Sequence, residues 1–319
     1  MSSETAFISA LRNLASSTAA RGLMDDAAVL NVGGADLVLT MDTVVESVHF
    51  LPDDPAQDVA WKLVAVNASD LSAKGALPLG CLYSHALGED AWDTAFLEGL
   101  GEACRHFALP LLGGDTVRMP AGAPRSFSLT ALGQGPEGTE PPARTMARVG
   151  DIVWVSGSIG DSGLGLDILL GTQTATGPEA QWLTARYRRP MPLTPLGPAL
   201  APYVHAMMDV SDGLLVDLSR LANASHVGAR IDLGAIPLSP AYAAIAGTTC
   251  EVRMNAACAG DDYVLLFTAP PENTADIEAI TKATGGSVRA LGAIQAEAGL
   301  RLTCEGTDIP LPAHLGYEH

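Results

Sequence analysis

The sequence predicts two mixed domains in tandem, an N-terminal α/β domain over residues 1–144 and a C-terminal α+β domain over residues 145–319. Three observations carry this. A chain of 319 residues gives each half enough length to bury a core of its own. Short apolar runs alternate throughout with segments of helical periodicity. The stretch Gly135-Pro136-Glu137-Gly138-Thr139-Glu140-Pro141-Pro142 has neither pattern and reads as the linker between the two halves.

The elements follow in order. Leu37–Leu39 is a short apolar strand running into Thr40-Met41-Asp42. Asp54-Pro55 reads as an N-cap followed by proline at the first helical position, opening a helix to about Gly75. Leu79–Leu87 has strand character, and Phe96, Leu100, Ala103 and Phe107 recur at helical spacing. Leu109–Leu112 leads as a strand into Gly113-Gly114-Asp115, and Ser126–Leu132 is a further strand. Beyond the linker come a strand at Asp151–Ser156, a glycine-rich turn at Gly157–Gly165 and a helix at Leu166–Leu170. A strand at Ala206–Val210, a helix from Gly213, a strand at Tyr263–Thr268 and a helix near Glu272–Thr284 complete the pattern.

Composition narrows the function. Thirty-six acidic against 18 basic residues give a net charge of −18, the wrong sign for a nucleic-acid partner. No apolar run reaches the roughly 18 residues of a membrane span, and the N-terminus lacks a basic segment ahead of an apolar one, so no signal peptide is expected. The five cysteines are scattered without a CxxC pair, which argues against a disulfide framework or a zinc site and for a cytoplasmic setting.

Most of the carboxylates read as solvated surface, but several stand in unusual places. Val59, Leu63, Val66 and Asp70 are spaced 4, 3 and 4 residues apart and share one helix face. An aspartate on an apolar stripe costs on the order of several kcal/mol unless a cation or strong donors meet it, Lys74 or water being the simplest such partners. Met208-Asp209-Val210-Ser211-Asp212-Gly213-Leu214 runs an apolar strand into Asp-x-Ser-Asp-Gly and then a helix. Its carboxylates can meet at one ion, and the N–H groups of the helix start can meet phosphate oxygens; helix capping accounts for one of these residues but not all three. Hard oxygen ligands imply Mg²⁺. Asp25-Asp26, Asp42-Thr43 and Gly114-Asp115-Thr116 flank strands in the same manner. Gly157-Ser158-Ile159-Gly160-Asp161-Ser162-Gly163 lacks the GxGxxG order, so packing is the better reading of its glycines. No arrangement for covalent catalysis stands out.

Read together, these motifs resemble a known family. Asp25–Leu30, Met41–Phe50, Lys62–Leu71, Gly113–Thr116, Gly160–Ser162, Asp209–Leu214 and Gly260–Tyr263 match, in order and spacing, the thiamine-monophosphate kinase family of the aminoimidazole-ribonucleotide-synthetase-like superfamily. The resemblance implies a two-domain PurM-like architecture whose N-terminal sheet dimerises, and transfer of the ATP γ-phosphate to thiamine monophosphate. It implies Asp26, Thr40, Asp42, Asp70, Asp115, Asp209 and Asp212 as ligands of several Mg²⁺ ions, with K⁺ as a further candidate. Asp209 and Asp212 would be the most directly catalytic of these. Gly114, Asp115, Arg144 and Ser211 would hold ATP, and His49, Asp261 and Tyr317 the acceptor. A phosphate nucleophile is already anionic, so such a site needs charge neutralisation rather than a general base.

The chain departs from the family pattern at Met24, where a glycine is usual, at Met41, where Thr or Ser is common, and at Asp261, where Glu is common. The rival readings are a selenophosphate synthetase, which would carry a reactive N-terminal cysteine or selenocysteine, a hydrogenase-maturation ATPase, which would end in cysteine, and a nucleotide-binding relative without activity.

Overall fold

The computed structural model describes residues 4–120 and 122–317. After helix α1 (Glu4–Leu11), β1 (Ala28–Val32) and β2 (Ala35–Val45) form a hairpin. Gly33 and Gly34 close it with φ of +61° and +91°, the left-handed pair a two-residue hairpin turn needs. Next come α2 (Ala56–Ala73), β3 (Leu77–Leu87), α3 (Asp90–His106), β4 (Leu111–Arg118) and β5 (Ser126–Gln134). The sheet order is β1-β2-β5-β3-β4, antiparallel except for the β3–β4 pair.

Phe127, Leu129, Ala131 and Gly133 of β5 alternate onto the inner face, which α2 and α3 cover. Helix α2 buries fifteen of its eighteen residues, so it behaves as a core helix rather than an amphipathic one. The first sheet meets part of its surface, α3 another, and the second domain the remainder. Trp61 Nε1 donates to the Pro190 carbonyl at 2.8 Å, Arg188 pairs with Asp54 at 2.6 Å, and Arg189 reaches Asp58 and Glu102.

The second unit contains β6 (Ile152–Ser156), α4 (Asp161–Leu170), α5 (Pro178–Arg188), α6 (Leu196–Leu200), β7 (Ala206–Asp209) and α7 (Leu214–Ala224). It continues with β8 (Gly228–Asp232), α8 (Pro240–Ala246), α9 (Cys250–Cys258), β9 (Leu265–Ala269), α10 (Thr274–Ala283), β10 (Val288–Gln295), β11 (Gly299–Cys304) and β12 (Thr307–Ile309). Its seven-stranded sheet has the order β12-β11-β8-β10-β6-β9-β7. The edge strand β7 is buried at every residue because α2 lies against it. That contact brings Asp209 of one sheet beside Asp70 of the other domain's helix.

Several sequence expectations need correction. The expected turn at Gly157–Gly165 ends early, since α4 already begins at Asp161. Gly165 sits inside it because a Cβ there would lie 2.2 Å from the Leu183 carbonyl oxygen, so glycine serves helix–helix packing with α5. Gly113-Gly114-Asp115 does not follow a strand but lies within β4, whose pairing with β3 carries the extended chain on to Arg118. Asp42 likewise lies inside β2. The N-cap of α2 is Pro55, while Asp54 accepts from the Leu51 N–H in the preceding turn. Cys250 and Cys304 form a disulfide, tying the start of α9 to the end of β11, where the scattered cysteines argued against a disulfide framework.

Candidate active site

A cleft of about 650 Å³ opens between the two domains. One end is a set of carboxylates delivered by four segments. Thr40 and Asp42 lie opposite the inward-facing Ala131 and Leu129 of β5, so both point to the sheet's covered face. Asp70 arrives from α2, Asp26 from the segment before β1, and Asp209 from the last residue of β7. Oxygens of Asp26, Asp70 and Asp209 all lie within 4.8 Å of one another. Thr40 Oγ1 donates to Asp70 Oδ2, and Ser69 Oγ donates to Asp209 Oδ2 at 2.6 Å.

The electrostatics are those of negative charge taken out of water. Burial, with the charges of Asp217 and Asp42 adding to it, pushes Asp209 up to about 7 against the opposition of Ser69 and Arg144. Burial pushes Asp42 up to about 6, with Asp212 contributing. Asp70 is driven well above the usual carboxylate range by burial and then by Asp42 and Asp209. At neutral pH such a cluster holds protons or attracts cations. Its fit to a hard divalent ion is visible at Asp26, whose buried Oδ2 lies 2.7 Å from Lys74 Nζ but out of hydrogen-bonding alignment, without any hydrogen-bond donor. Oxygen-only donors, one of them unsatisfied, suit Mg²⁺ and not zinc.

Two cations brace this end from behind. Lys74 is fully buried; its ammonium meets Asp25 and Asp26 and donates to the Met207 carbonyl at 2.9 Å. It does not pair with Asp70, for which Lys74 and water were the alternatives the sequence left open. For Asp25 burial works upward, but Lys74 and Arg21 outweigh it and hold the carboxyl below its ordinary value. Arg144, in the short turn Arg144–Met146, pairs with Asp26 Oδ1 and keeps a buried Nε without a partner.

The Asp-x-Ser-Asp-Gly loop is built around a residue the sequence did not single out. Asp217, fully buried in the first turn of α7, accepts from the N–H groups of Ser211 at 3.0 Å and Asp212 at 3.1 Å. Those two N–H groups, which precede the helix, fold back on an internal carboxylate. Arg220 donates to Asp217 Oδ1 at 2.9 Å and to Asp212 Oδ2, fixing the Asp212 carboxylate toward the cleft. The C-terminal segment closes over this loop. Tyr317 N donates to the Asp212 carbonyl at 2.9 Å, and Gly316 is needed because a Cβ would lie 2.5 Å from that oxygen.

The other end of the cleft is less charged. It is lined by His49, Lys62, Tyr187, Tyr242, Asp261 and Tyr317, among others. His49 Nδ1 accepts from the Val45 N–H at 3.1 Å, which leaves the proton of the neutral ring on Nε2. Asp261 has a left-handed backbone, φ +68°, pinned by its N–H to the Ser211 carbonyl at 2.7 Å.

Of the residues singled out in the sequence, Asp26, Asp42, Asp70, Arg144, Asp209, Ser211 and Asp212 line this one cleft, as do His49, Asp261 and Tyr317; Thr40 lies behind Asp70. Gly114 and Asp115 are not among its lining residues. They lie on β4, an exposed edge strand separated from β2 by β5 and β3. Met41 points to the outer face of the sheet and is 63% exposed, so this departure from the family pattern lies away from the cleft.

Comparison with known proteins places this geometry in context. The N-terminal domain of AIR synthase related proteins matches residues 24–134 and their C-terminal domain residues 148–305. A thiamine-monophosphate kinase of Caulobacter vibrioides is 38% identical over 307 residues, covering 93% of this chain and 84% of that protein. The thiamine-monophosphate kinase of Escherichia coli K12 is 35% identical, covering 93% and 91%. A solved structure described as AaThiL complexed with AMPPCP and TMP superposes with a TM-score of 0.84 at 30% identity, covering 99% of this chain and 97% of that one.

Proposed function

The chain belongs to the AIR synthase related proteins and, within them, to the thiamine-monophosphate kinases, and from that premise we propose how its cleft transfers the γ-phosphate of ATP to thiamine monophosphate, giving thiamine diphosphate and ADP. The observation that carries the reading is the division of one cleft into a carboxylate end and a weakly charged end.

At the carboxylate end, Asp26, Asp42, Asp70, Asp209 and Asp212 would hold Mg²⁺. The ion these residues would hold would supply charge neutralisation for the phosphates. The remaining work falls to the chain itself. Arg144 offers a guanidinium whose Nε is still free to donate, beside Asp26, where a triphosphate would lie. Asp217 and Arg220 hold the Ser211–Asp212 loop rigid, so that the Asp212 carboxylate need not reorganise during transfer. His49, Asp261 and Tyr317 receive the acceptor, whose terminal phosphate oxygen attacks in line. No side chain has to remove a proton.

The reading extends to assembly. Leu79, Leu82, Leu111 and Met41 expose apolar surface on the first sheet, which supports a homodimer formed through that face. Asp115 and Gly114 on β4 would then serve a site completed by the second copy. Residues 1–144 and 145–319 are the corresponding domain division. No described helix is long and apolar enough to cross a membrane, and a cytoplasmic setting is the natural one for ATP and thiamine monophosphate as substrates.

The test is direct. Protein incubated with ATP and thiamine monophosphate should form thiamine diphosphate and ADP in equal amounts when Mg²⁺ is supplied, and neither without it. Replacing K⁺ by Na⁺ in the same assay reads any monovalent requirement. Folded, Mg²⁺-supplied protein that forms no thiamine diphosphate overturns the proposal.

A further inference from the structure

Lys62 opens the Lys62–Leu71 motif and lines the cleft, yet the proposed chemistry gives it no role. It stands mid-way along α2, where sequence alone would place a solvated lysine, yet its side chain is only 2% exposed. Its ammonium lies between the domains. From the first domain it meets the His49 carbonyl oxygen at 2.9 Å. From the second it meets Asp261 Oδ2 at 3.0 Å and sits over the Tyr187 ring, 3.9 Å from its centroid. The other oxygen of Asp261 accepts from the Tyr263 hydroxyl at 3.0 Å.

An ammonium has three N–H donors, and here each has a partner: a carbonyl, a carboxylate and an aromatic face. None is left for a phosphate. A lysine serving as a phosphate ligand would keep a donor turned toward the cleft, so this one is spent on the protein. Its three partners belong to, or stand beside, the acceptor end: His49 and Asp261 are two of the residues assigned to the acceptor, and Tyr187 lines the same wall.

We infer that Lys62 is a positioning residue for the acceptor, an interdomain latch that fixes the Asp261 carboxylate and the His49 segment at the spacing thiamine monophosphate requires. The inference rests on the proposed acceptor role of Asp261 and His49. It also accounts for the tolerance of aspartate where the family commonly has glutamate: Lys62 and Tyr263 hold both oxygens of the shorter side chain in place.

Lys62→Met keeps the length and apolar stem while removing the ammonium. The expected result is a KM for thiamine monophosphate raised about 10- to 100-fold, the scale of a lost charge-assisted hydrogen bond, with the KM for ATP changed no more than about twofold. Equilibrium binding of thiamine monophosphate without ATP, followed by calorimetry, should weaken by the same factor. The second arm is a double-mutant cycle with Asp261→Asn. If Lys62 acts through Asp261, adding Lys62→Met to Asp261→Asn costs much less than adding it to the wild type. Equal costs in both backgrounds, or equal rises in the two KM values, would show a general structural role and overturn the latch. If Asp261→Asn alone leaves acceptor binding unchanged, the acceptor assignment itself fails, an outcome distinct from failure of the latch. Should Lys62→Met fold poorly, one leg still decides: if Lys62 acts through Asp261, the double variant binds thiamine monophosphate within about twofold of Asp261→Asn, and a further loss of about tenfold or more overturns the latch.

Discussion

The two ends of the cleft are built on opposite principles. At the carboxylate end, five aspartates crowd together, and burial raises Asp42 to about 6, Asp209 to about 7 and Asp70 well above the usual carboxylate range. The two braces behind them, Lys74 and Arg144, both reach Asp26. The acceptor end has one cation, Lys62, fully engaged with Asp261, His49 and Tyr187, and its groups are satisfied by neighbours. One end stores unsatisfied charge that a ligand must relieve. The other is pre-organised and neutral overall. On the proposed reading, two anionic substrates would be drawn to one place with few lysines, by cations that the protein's own negative charge recruits.

The contrast is broken most severely at Asp212. Asp212→Asn leaves Arg220 and the loop's hydrogen bonds in place but removes a charge facing the cleft. Turnover with saturating ATP should fall by about 100- to 1,000-fold, the scale of losing one preorganised electrostatic group, while circular dichroism stays unchanged. Near-normal turnover would remove Asp212 from the site. A smaller effect is expected one layer back. Arg220→Met frees the Asp212 carboxylate without removing it, so activity should fall about tenfold, in keeping with a lost charge-assisted hydrogen bond, and raised Mg²⁺ should recover part of it. An unchanged Mg²⁺ requirement would show that Arg220 merely packs.

The carboxylate end was largely legible in the sequence because its signals are local. An aspartate closing the Val59-Leu63-Val66 stripe, and two more bracketing a strand-to-helix junction, are misplaced charges in one dimension already. What escaped notice depends on the third dimension. Lys62 and Lys74 read as ordinary helix lysines until α2 proves buried on nearly every side. That helix has no other cation, which was the available signal. Asp217 was not singled out in the sequence, although its place in the first turn of α7 is where a carboxylate meets free N–H groups. Gly114 and Asp115 show the converse limit. Motif order placed them with the other aspartates, but sheet order puts them two strands away, because sequence cannot tell which strands become neighbours.

The most direct measurement is the thermal stability of the ligand-free protein as a function of pH and Mg²⁺, for wild type and Asp209→Asn. Asp209 is raised in the fold from 3.8 to about 7, so the folded state binds a proton that the unfolded chain has released. Metal-free stability should therefore fall as pH climbs from about 4 to about 7, with Asp42 contributing to the same slope. Mg²⁺ should restore stability at the upper end. Asp209→Asn removes the buried charge, so the variant should be more stable than wild type without metal at pH 8, and Mg²⁺ should raise its melting temperature far less. A variant that is less stable than wild type without metal, and gains as much from Mg²⁺, would contradict a site built from charge held in wait for a cation.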